Sequence, residues 1–506
     1  MKLRTVAVWA ALGMATSTAG ALAIPAPARS STPGAPPIAP DPATALVTSH
    51  FTAGQTLTMD GRLGHASLAR SAAGETFLLA SVAGADSPAS AAPPLNLAIV
   101  IDRSGSMKGA RIANAMEAAV GIVDRMRDED RVTVVAFDTT AQVVVAPSRA
   151  TGIARAGIEA AIRGIRLGAD TCLSCGLETA MAELSSTALA GDHVNRMILL
   201  SDGEANHGVR DVTGLRAIAG RMRDRGCSIT TMGVDVDFDE RVMAAIASES
   251  NGRHYFVPNA SALPAIFEQE FDSLLATVAR DGELEVDLAN GVSVEQVFDR
   301  SFRREGDRVM VPFGTFSAKQ EKTVLMKLRV PTDRDGSEPV ASMKLRYRDL
   351  EKRSDATCEG ELGLLVTDEG HAQRDLDPFV AARVARSETA EALTTANTLF
   401  EEGRVADAER VLSARRQSLS SGAVRAKAAA LAQPVAPAGN KAKDAFAGDF
   451  EQQLAAVATA QSNFAPQPAS GGGLGGPPAP AAAPQQSHLG KAATRQNQAA
   501  ATDMAF

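Results

Sequence analysis

The sequence has few aromatic residues and no long stretch of one charge. Aromatic residues make up 4% of the 506 residues, and the single tryptophan is Trp9. A stacking surface for sugars or bases therefore has little material. The formal net charge is −8, and the basic residues form no long run or stripe. This composition argues against nucleic acid as a partner.

Cysteines and histidines are also sparse. The four cysteines are too few for a disulfide scaffold in a chain of this size, so a hydrophobic core must supply the stability. The seven histidines are scattered without metal-ligand spacing, and neither a His-Glu-x-x-His motif nor a phosphate-binding loop is present. We therefore expect a protein that is not an enzyme.

The amino-terminal residues have the layout of a secretory signal peptide. Lys2 and Arg4 precede the apolar stretch Thr5–Ala15, and small residues follow up to Ala23. We predict a signal peptide over 1–23 and an exported protein, whether periplasmic, cell-surface or secreted. No later segment offers the roughly 20 apolar residues that a transmembrane helix needs. Residues 24–47, rich in Pro, Ala and Ser, predict a disordered leader.

The middle of the chain alternates between two kinds of pattern. Residues 95–279 alternate strand-like and helix-like segments, which is typical of a doubly wound, mostly parallel sheet with helices on both faces. Short strand-like segments occupy 48–83 and 281–367. Because the first group is too short to stand alone, we predict that both groups form one β-sandwich into which the α/β domain is inserted.

The last part of the chain changes composition twice. Apolar residues at helical spacing predict a helical hairpin over 376–421, packed on the body of the protein. Residues 430–506 are dominated by Ala, Pro, Gln and Gly, and we predict a disordered tail there.

The chemistry begins where one apolar strand ends. Leu95–Ile101 is an almost unbroken apolar run, such as a strand buried on both faces requires, and it stops at Asp102. Ser104 and Ser106 follow at alternate positions. Ligands of open α/β sheets bind at the carboxyl ends of the strands, and oxygen donors suit Mg²⁺. The stretch therefore indicates a cation site, although these residues could instead cap the helix that begins near Lys108.

Asp102-Arg103-Ser104-Gly105-Ser106 resembles the Asp-x-Ser-x-Ser signature of the von Willebrand factor type A (VWA) family. The resemblance implies a metal-ion-dependent adhesion site completed by a Thr in a later loop and an Asp after a later strand, which map to Thr171 and Asp202. It also implies bound Mg²⁺, with Mn²⁺ or Ca²⁺ as alternatives, and a protein ligand that presents Asp or Glu to the metal. Secreted bacterial members resemble this chain in having a flanking β-sandwich.

Cys172 and Cys175 directly follow Thr171. In an oxidising compartment this spacing favours a local disulfide that stiffens the loop; two buried thiols and redox control of metal affinity stay open. Three functions compete at this point. We favour an exported, cation-dependent protein-binding module over a metal-assisted hydrolase or redox-regulated protein, and over a structural component of an envelope or secretion-associated assembly.

Overall fold

A computed structural model describes residues 48–86, 93–186, 193–373, 375–432, 439–464 and 487–505. The predicted signal peptide and the leader lie outside these residues. Within them, no helix combines the length and apolar character needed to cross a membrane.

The described part of the chain begins with strands and continues as alternating strands and helices. The first elements are β1 (His50–Gly54), β2 (Leu57–Leu63), β3 (Ser67–Ala69) and β4 (Glu75–Gly84). The α/β region follows with β5 (Leu95–Asp102), α1 (Ala110–Arg125), β6 (Arg131–Phe137), β7 (Ala141–Arg149), α2 (Gly152–Arg163), α3 (Leu173–Ser186), β8 (Val194–Ser201), α4 (Val212–Arg223), β9 (Cys227–Val234), α5 (Glu240–Glu249), β10 (His254–Val257) and α6 (Leu263–Leu275).

A second group of strands and then helices completes the described chain. The strands are β11 (Thr277–Leu288), β12 (Ser293–Phe298), β13 (Arg303–Glu305), β14 (Arg308–Ser317), β15 (Glu321–Arg329), β16 (Gly336–Asp349) and β17 (Ser354–Thr367). The helices are α7 (Pro378–Glu401), α8 (Val405–Ala432), α9 (Gly439–Phe464) and α10 (His488–Ala505).

The α/β region is built on one sheet with the strand order β10-β9-β8-β5-β6-β7, in which only β7 runs antiparallel to its neighbour. Every residue of β5 is buried, as the apolar run predicts. Leu97 and Ile99 belong to the core under one layer of helices, whereas Ala98 and Val100 belong to the core under the other. Because side chains alternate along a strand, β5 is covered on both faces, and its carboxyl end points to an open edge.

The flanking β-sandwich consists of two sheets with the strand orders β1-β2-β4-β15-β12 and β13-β14-β11-β16-β17-β3. The inner faces of the two sheets share one apolar core. The segment before the α/β region therefore joins the later strands, as the sequence predicted, with β1, β2 and β4 in the first sheet and β3 in the second. Strand β4 pairs with β15 along its length, from Glu75 opposite Arg329 to Ala83 opposite Glu321.

The carboxyl-terminal part contains more helix than the sequence predicted. Helices α7 and α8 occupy the predicted hairpin, but α8 extends to Ala432. Of the disordered tail predicted over 430–506, residues 433–438, 465–486 and 506 lie outside the described residues, and the described ones include α9 and α10, which pack on α7. The reason lies in scattered apolar residues at helical spacing, which the Ala-rich composition conceals: Phe450, Val457 and Phe464 are buried, and the Phe464 ring stacks on Phe400 with centroids 4.2 Å apart.

Candidate functional site

The site begins with the carboxylate of Asp102, which is fully buried at the end of β5. Its Oδ1 accepts a hydrogen bond from the backbone N–H of Ser104 at 2.8 Å, and its Oδ2 accepts one from Ser201 Oγ at 2.5 Å. The first bond turns the chain back toward the sheet edge immediately after the strand. The loop that carries the two predicted serines is therefore held against the end of β5.

Ser104, Ser106 and Asp202 form a connected group beside it. The hydroxyls of Ser104 and Ser106 lie 2.9 Å apart, and Ser106 Oγ donates to Asp202 Oδ1 at 2.6 Å. Asp202 directly follows β8, the neighbour of β5 in the sheet, and its side chain is also fully buried. Parallel pairing of the two strands thus brings together residues that are about 100 positions apart in sequence.

The Thr171 hydroxyl faces the same space. A Cβ added to Gly203 would lie 3.2 Å from Thr171 Oγ1 and 3.4 Å from Ser106 Oγ. The loop of Thr171 is attached to the first loop, because the Gly105 N–H donates to the Ala169 carbonyl at 3.0 Å. The structure therefore gathers the five predicted donor residues at one sheet edge: Asp102, Ser104, Ser106, Thr171 and Asp202.

A disulfide joins Cys172 and Cys175, whose Cα atoms are 5.3 Å apart, at the start of α3. The loop after Asp202 packs on it: a Cβ added to Gly208 would lie 2.6 Å from Cys172 Sγ. Gly208 has φ +69°, and both this conformation and the missing Cβ allow the close approach. The disulfide therefore braces the loops that carry Thr171 and Asp202. The other two cysteines, Cys227 and Cys358, are free and buried.

Burial sets the electrostatics of the two acids. It raises the pKa of Asp102 to about 6, against the lowering effect of the Ser201 and Ser104 hydrogen bonds, and the charge of Asp202 raises it further. Burial also raises the pKa of Asp202, although Ser106 and Arg111 oppose the shift. Two carboxylates removed from water next to each other are costly as anions, and a bound cation relieves that cost.

The donor set consists of oxygen atoms, of which only the two carboxylates are charged, and it fits a hard cation. Within the described residues, no group of three or more His, Cys, Asp or Glu side chains is arranged to hold a metal ion. A metal at this edge would depend on hydroxyl oxygens together with the two carboxylates. Mg²⁺ accepts such oxygen ligands and usually retains several waters. The residues present therefore fit Mg²⁺, which Asp102, Asp202 and the three hydroxyl groups would hold.

Three contributors were missed by the sequence reasoning. Ser201 bonds Asp102, and its position directly before Asp202 was the available signal. Arg111, on the first turn of α1, donates from Nη1 to Asp202 Oδ2 at 2.6 Å and from Nη2 to Asp235, which follows β9. The contact of Arg111 with Asp235 spans 124 positions, and nothing in the local sequence indicates it.

An open, mostly parallel sheet with carboxylates and hydroxyls gathered at its carboxyl edge defines a ligand-binding α/β domain. Residues 96–269 match the family model of the von Willebrand factor type A domain, and the α/β region of this chain is a VWA domain. Such domains are mostly non-enzymatic interaction modules and commonly bind a divalent metal.

Similar proteins extend the comparison. The chain is 27% identical to the Synechocystis protein sll0103 over 51% of its length and 62% of that protein. It is 26% identical to the Escherichia coli protein YfbK over 56% of its length and 50% of that protein. The match thus spans between half and two thirds of these relatives. A solved von Willebrand factor type A protein from Catenulispora acidiphila superposes with a TM-score of 0.64 at 17% identity, over 81% of this chain and 99% of that one, and shows the shared fold.

Proposed function

We propose that this protein is an exported, divalent-cation-dependent protein-binding module. Mg²⁺, with Mn²⁺ or Ca²⁺ as alternatives, binds at the edge formed by Asp102, Asp202 and the hydroxyls of Ser104, Ser106 and Thr171. A partner protein then presents an Asp or Glu side chain to the metal. The observation that supports the proposal is that contacts connect these five side chains, from three separate loops, at one sheet edge.

The chemistry of the donors explains why the site suits an external acid. The set contains two carboxylates and three hydroxyl groups, whereas Mg²⁺ prefers about six oxygen ligands, so at least one position is left for water or for an outside ligand. The bound ion supplies an electrophilic centre that attracts a carboxylate. The chain's own residues hold that ion at a fixed sheet edge, where a partner can approach it.

The alternatives receive less support. A metal-assisted hydrolase needs a general base within reach of the reacting water, and the carboxylates of this edge are engaged by hydroxyl and guanidinium groups. A redox role needs an accessible sulfur, and here Cys172 is fully buried while Cys175 is partly buried. The disulfide agrees better with a bracing role, and it supports export because disulfides persist in oxidising compartments.

Calorimetric titration of the metal-stripped protein with MgCl₂ tests the cation site. We expect saturable binding in the wild type that is lost in Asp102→Ala and in Asp202→Ala. Asp224→Ala is the matched control, because Asp224 lies in the same domain with its side chain 59% exposed and paired with Arg223. Absence of Mg²⁺, Mn²⁺ and Ca²⁺ binding by the folded wild type would refute the proposal.

Thr171 offers a finer test. Thr171→Ser keeps the hydroxyl and Thr171→Ala removes it, while both relieve the same packing around the methyl group. We expect Mg²⁺ affinity to survive in the serine variant and to fall by about tenfold in the alanine variant, as loss of one ligand oxygen implies. Equal affinities in the two variants would remove Thr171 from the site.

A further inference from the structure

The last helix, α10, lies next to the candidate metal site. It packs on α7 and α9 and also on β10 and α5 of the VWA domain. Its first residue, His488, donates from Nε2 to Asp235 Oδ1 at 3.1 Å, and Lys491 Nζ donates to Asp237 Oδ1 at 3.1 Å. Asp235 and Asp237, here called the acidic rim, follow β9 at the same sheet edge as Asp202.

One side chain connects the acidic rim with the site. Arg111 contacts Asp202 with one terminal nitrogen and Asp235 with the other. The guanidinium group of Arg111 therefore bridges Asp235 and Asp202. His488 shares Asp235 with Arg111, so a continuous chain of polar contacts runs from the start of α10 to a residue of the candidate metal site.

The charges that α10 brings to this edge are positive. Lys491 pairs with Asp237, the Arg495 guanidinium lies 5.6 Å from the centroid of the Phe238 ring, and the amino-terminal end of the helix carries a partial positive charge. Docked α10 therefore neutralises the acidic rim. A cation at the neighbouring site encounters a less favourable potential when α10 is docked than when it is released.

The contacts of α10 with the acidic rim lie at its exposed first turn, whereas its later residues Thr494 and Asn497 are buried and bonded to Asn397 of α7. The side chains of His488 and Lys491 are 70% and 45% exposed, and ion pairs of this kind contribute little. The apolar residues that α10 buries are small except for Met504, whereas Leu489 is 64% exposed.

We propose that α10 is a displaceable cover of the acidic rim whose docking opposes cation binding at the VWA site. Because coupling between two binding events is reciprocal, cation binding in turn weakens the docking of α10. This inference rests on the proposed function, since it takes the site to bind a divalent cation.

The first test compares Mg²⁺ affinities of full-length proteins by calorimetry. His488→Ala combined with Lys491→Ala removes the contacts with the rim. His371→Ala combined with Lys344→Ala is the matched control, because these side chains pair with Asp368 and Glu359 in the sandwich part of the chain. We expect the dissociation constant to fall about three- to tenfold in the rim variant at low salt and to change less at high salt. The control should match the wild type.

Hydrogen exchange supplies a second readout. Saturating MgCl₂ should accelerate exchange of the amides of 488–505 in the wild type and leave them unchanged in Asp202→Ala. Mg²⁺ binding with unchanged affinity in the rim variant, or with α10 amides that become more protected, would overturn this inference alone. A wild type that binds no divalent cation would overturn the proposed function together with it.

Discussion

A pair of buried acids at the sheet edge of the VWA domain and a buried lysine in the β-sandwich have different kinds of partner. In the VWA domain Asp102 and Asp202 are fully buried and bonded by hydroxyl and guanidinium groups of neighbouring loops. In the sandwich Lys322 is 6% exposed, donates from Nζ to the Phe313 carbonyl at 2.7 Å and lies 5.1 Å from the centroid of the Phe316 ring.

The two sites differ in whether a ligand from outside could replace the groups that hydrogen-bond the buried charge. The hydroxyls around the two acids can rotate, and the loops that carry them meet at an open edge, so a cation can take over part of their bonding. The carbonyl and ring around Lys322 belong to strand β14 in the interior, where nothing from outside can replace them. The buried carboxylates at the sheet edge therefore indicate a binding site. The buried Lys322 of the sandwich indicates only an internal structural contact.

Replacing one buried phenylalanine by alanine in each region should give the largest change in the free energy of unfolding. Phe137→Ala empties a fully buried position at the end of β6, and Phe316→Ala does the same in the sandwich. We expect each to lower the free energy of unfolding by about 3–5 kcal/mol, from lost burial and the cavity left behind. Only Phe137→Ala should also weaken Mg²⁺ binding, because its ring packs beside Gly176 of α3, the helix that follows Thr171: a Cβ added to Gly176 would lie 2.8 Å from that ring. Denaturant unfolding and calorimetry give the two readouts.

Equal Mg²⁺ affinity in the two phenylalanine variants would contradict the comparison. It would mean that the loops of Ser104 and Thr171 keep their shape without the Phe137 ring at the end of β6. A weaker affinity in Phe316→Ala would show instead that the sandwich and the site are energetically connected.

Lys322→Met tests the other side of the comparison. Burial lowers the pKa of Lys322 well below its usual value, and nearby arginines, Arg300 first, lower it further. Replacement of such a charge by an apolar side chain of similar length should raise the free energy of unfolding by about 1–4 kcal/mol at neutral pH. Thermal or denaturant unfolding of both proteins measures the change.

The pH dependence of that change has a defined sign. The unfolded lysine titrates near its usual pKa, and the folded one titrates lower, so between the two the unfolded state binds more protons. The stability of the wild type therefore rises with pH across this window. The advantage of Lys322→Met should shrink as the pH approaches 10.5, the ordinary pKa of lysine. An advantage that stays constant from neutral to alkaline pH would show that the buried lysine keeps its proton in the folded state, as it does in the unfolded state.

The sequence predicted the VWA domain better than the parts around it, for a physical reason. The apolar run of β5 and the helical spacing of apolar residues in α1 are visible in the local sequence. The donors Asp102, Ser104 and Ser106 also lie within five consecutive residues. Thr171 and Asp202 came from the family resemblance, since strand pairing rather than local pattern brings them near Asp102.

The missed elements depend on contacts between distant segments. Arg111 meets Asp235 only because β9 lies two strands from β5 in the sheet. Among their described side chains, helices α9 and α10 bury three alanines and only four larger apolar residues, Phe450, Val457, Phe464 and Met504, so their composition resembles that of disordered chain. Their stability depends on the neighbouring helices, which no local pattern reports.

Removing the disulfide should lower the free energy of unfolding by an intermediate amount, through a change confined to the VWA domain. Replacement of Cys172 and Cys175 by serine should lower the free energy of unfolding by about 2 kcal/mol, because the bond closes a very short loop. Mg²⁺ affinity should fall modestly, since the loops of Thr171 and Asp202 lose their common brace. Chemical reduction of the wild type should reproduce both effects. Unchanged affinity in the variant would leave the disulfide a role in stability alone.

The smallest effects should be the same in both regions. Arg70 pairs with Asp335 in the sandwich, with side chains 52% and 53% exposed, and Arg221 pairs with Glu178 between α4 and α3, with side chains 49% and 53% exposed. Because solvent screens exposed pairs, Arg70→Ala and Arg221→Ala should each change the free energy of unfolding by about 0.5 kcal/mol or less, and less still at high salt. Denaturant unfolding at two salt concentrations measures both. A clearly larger loss for either would mean that the pair joins its segments more firmly than its exposure implies, and that exposed charges also distinguish the two regions.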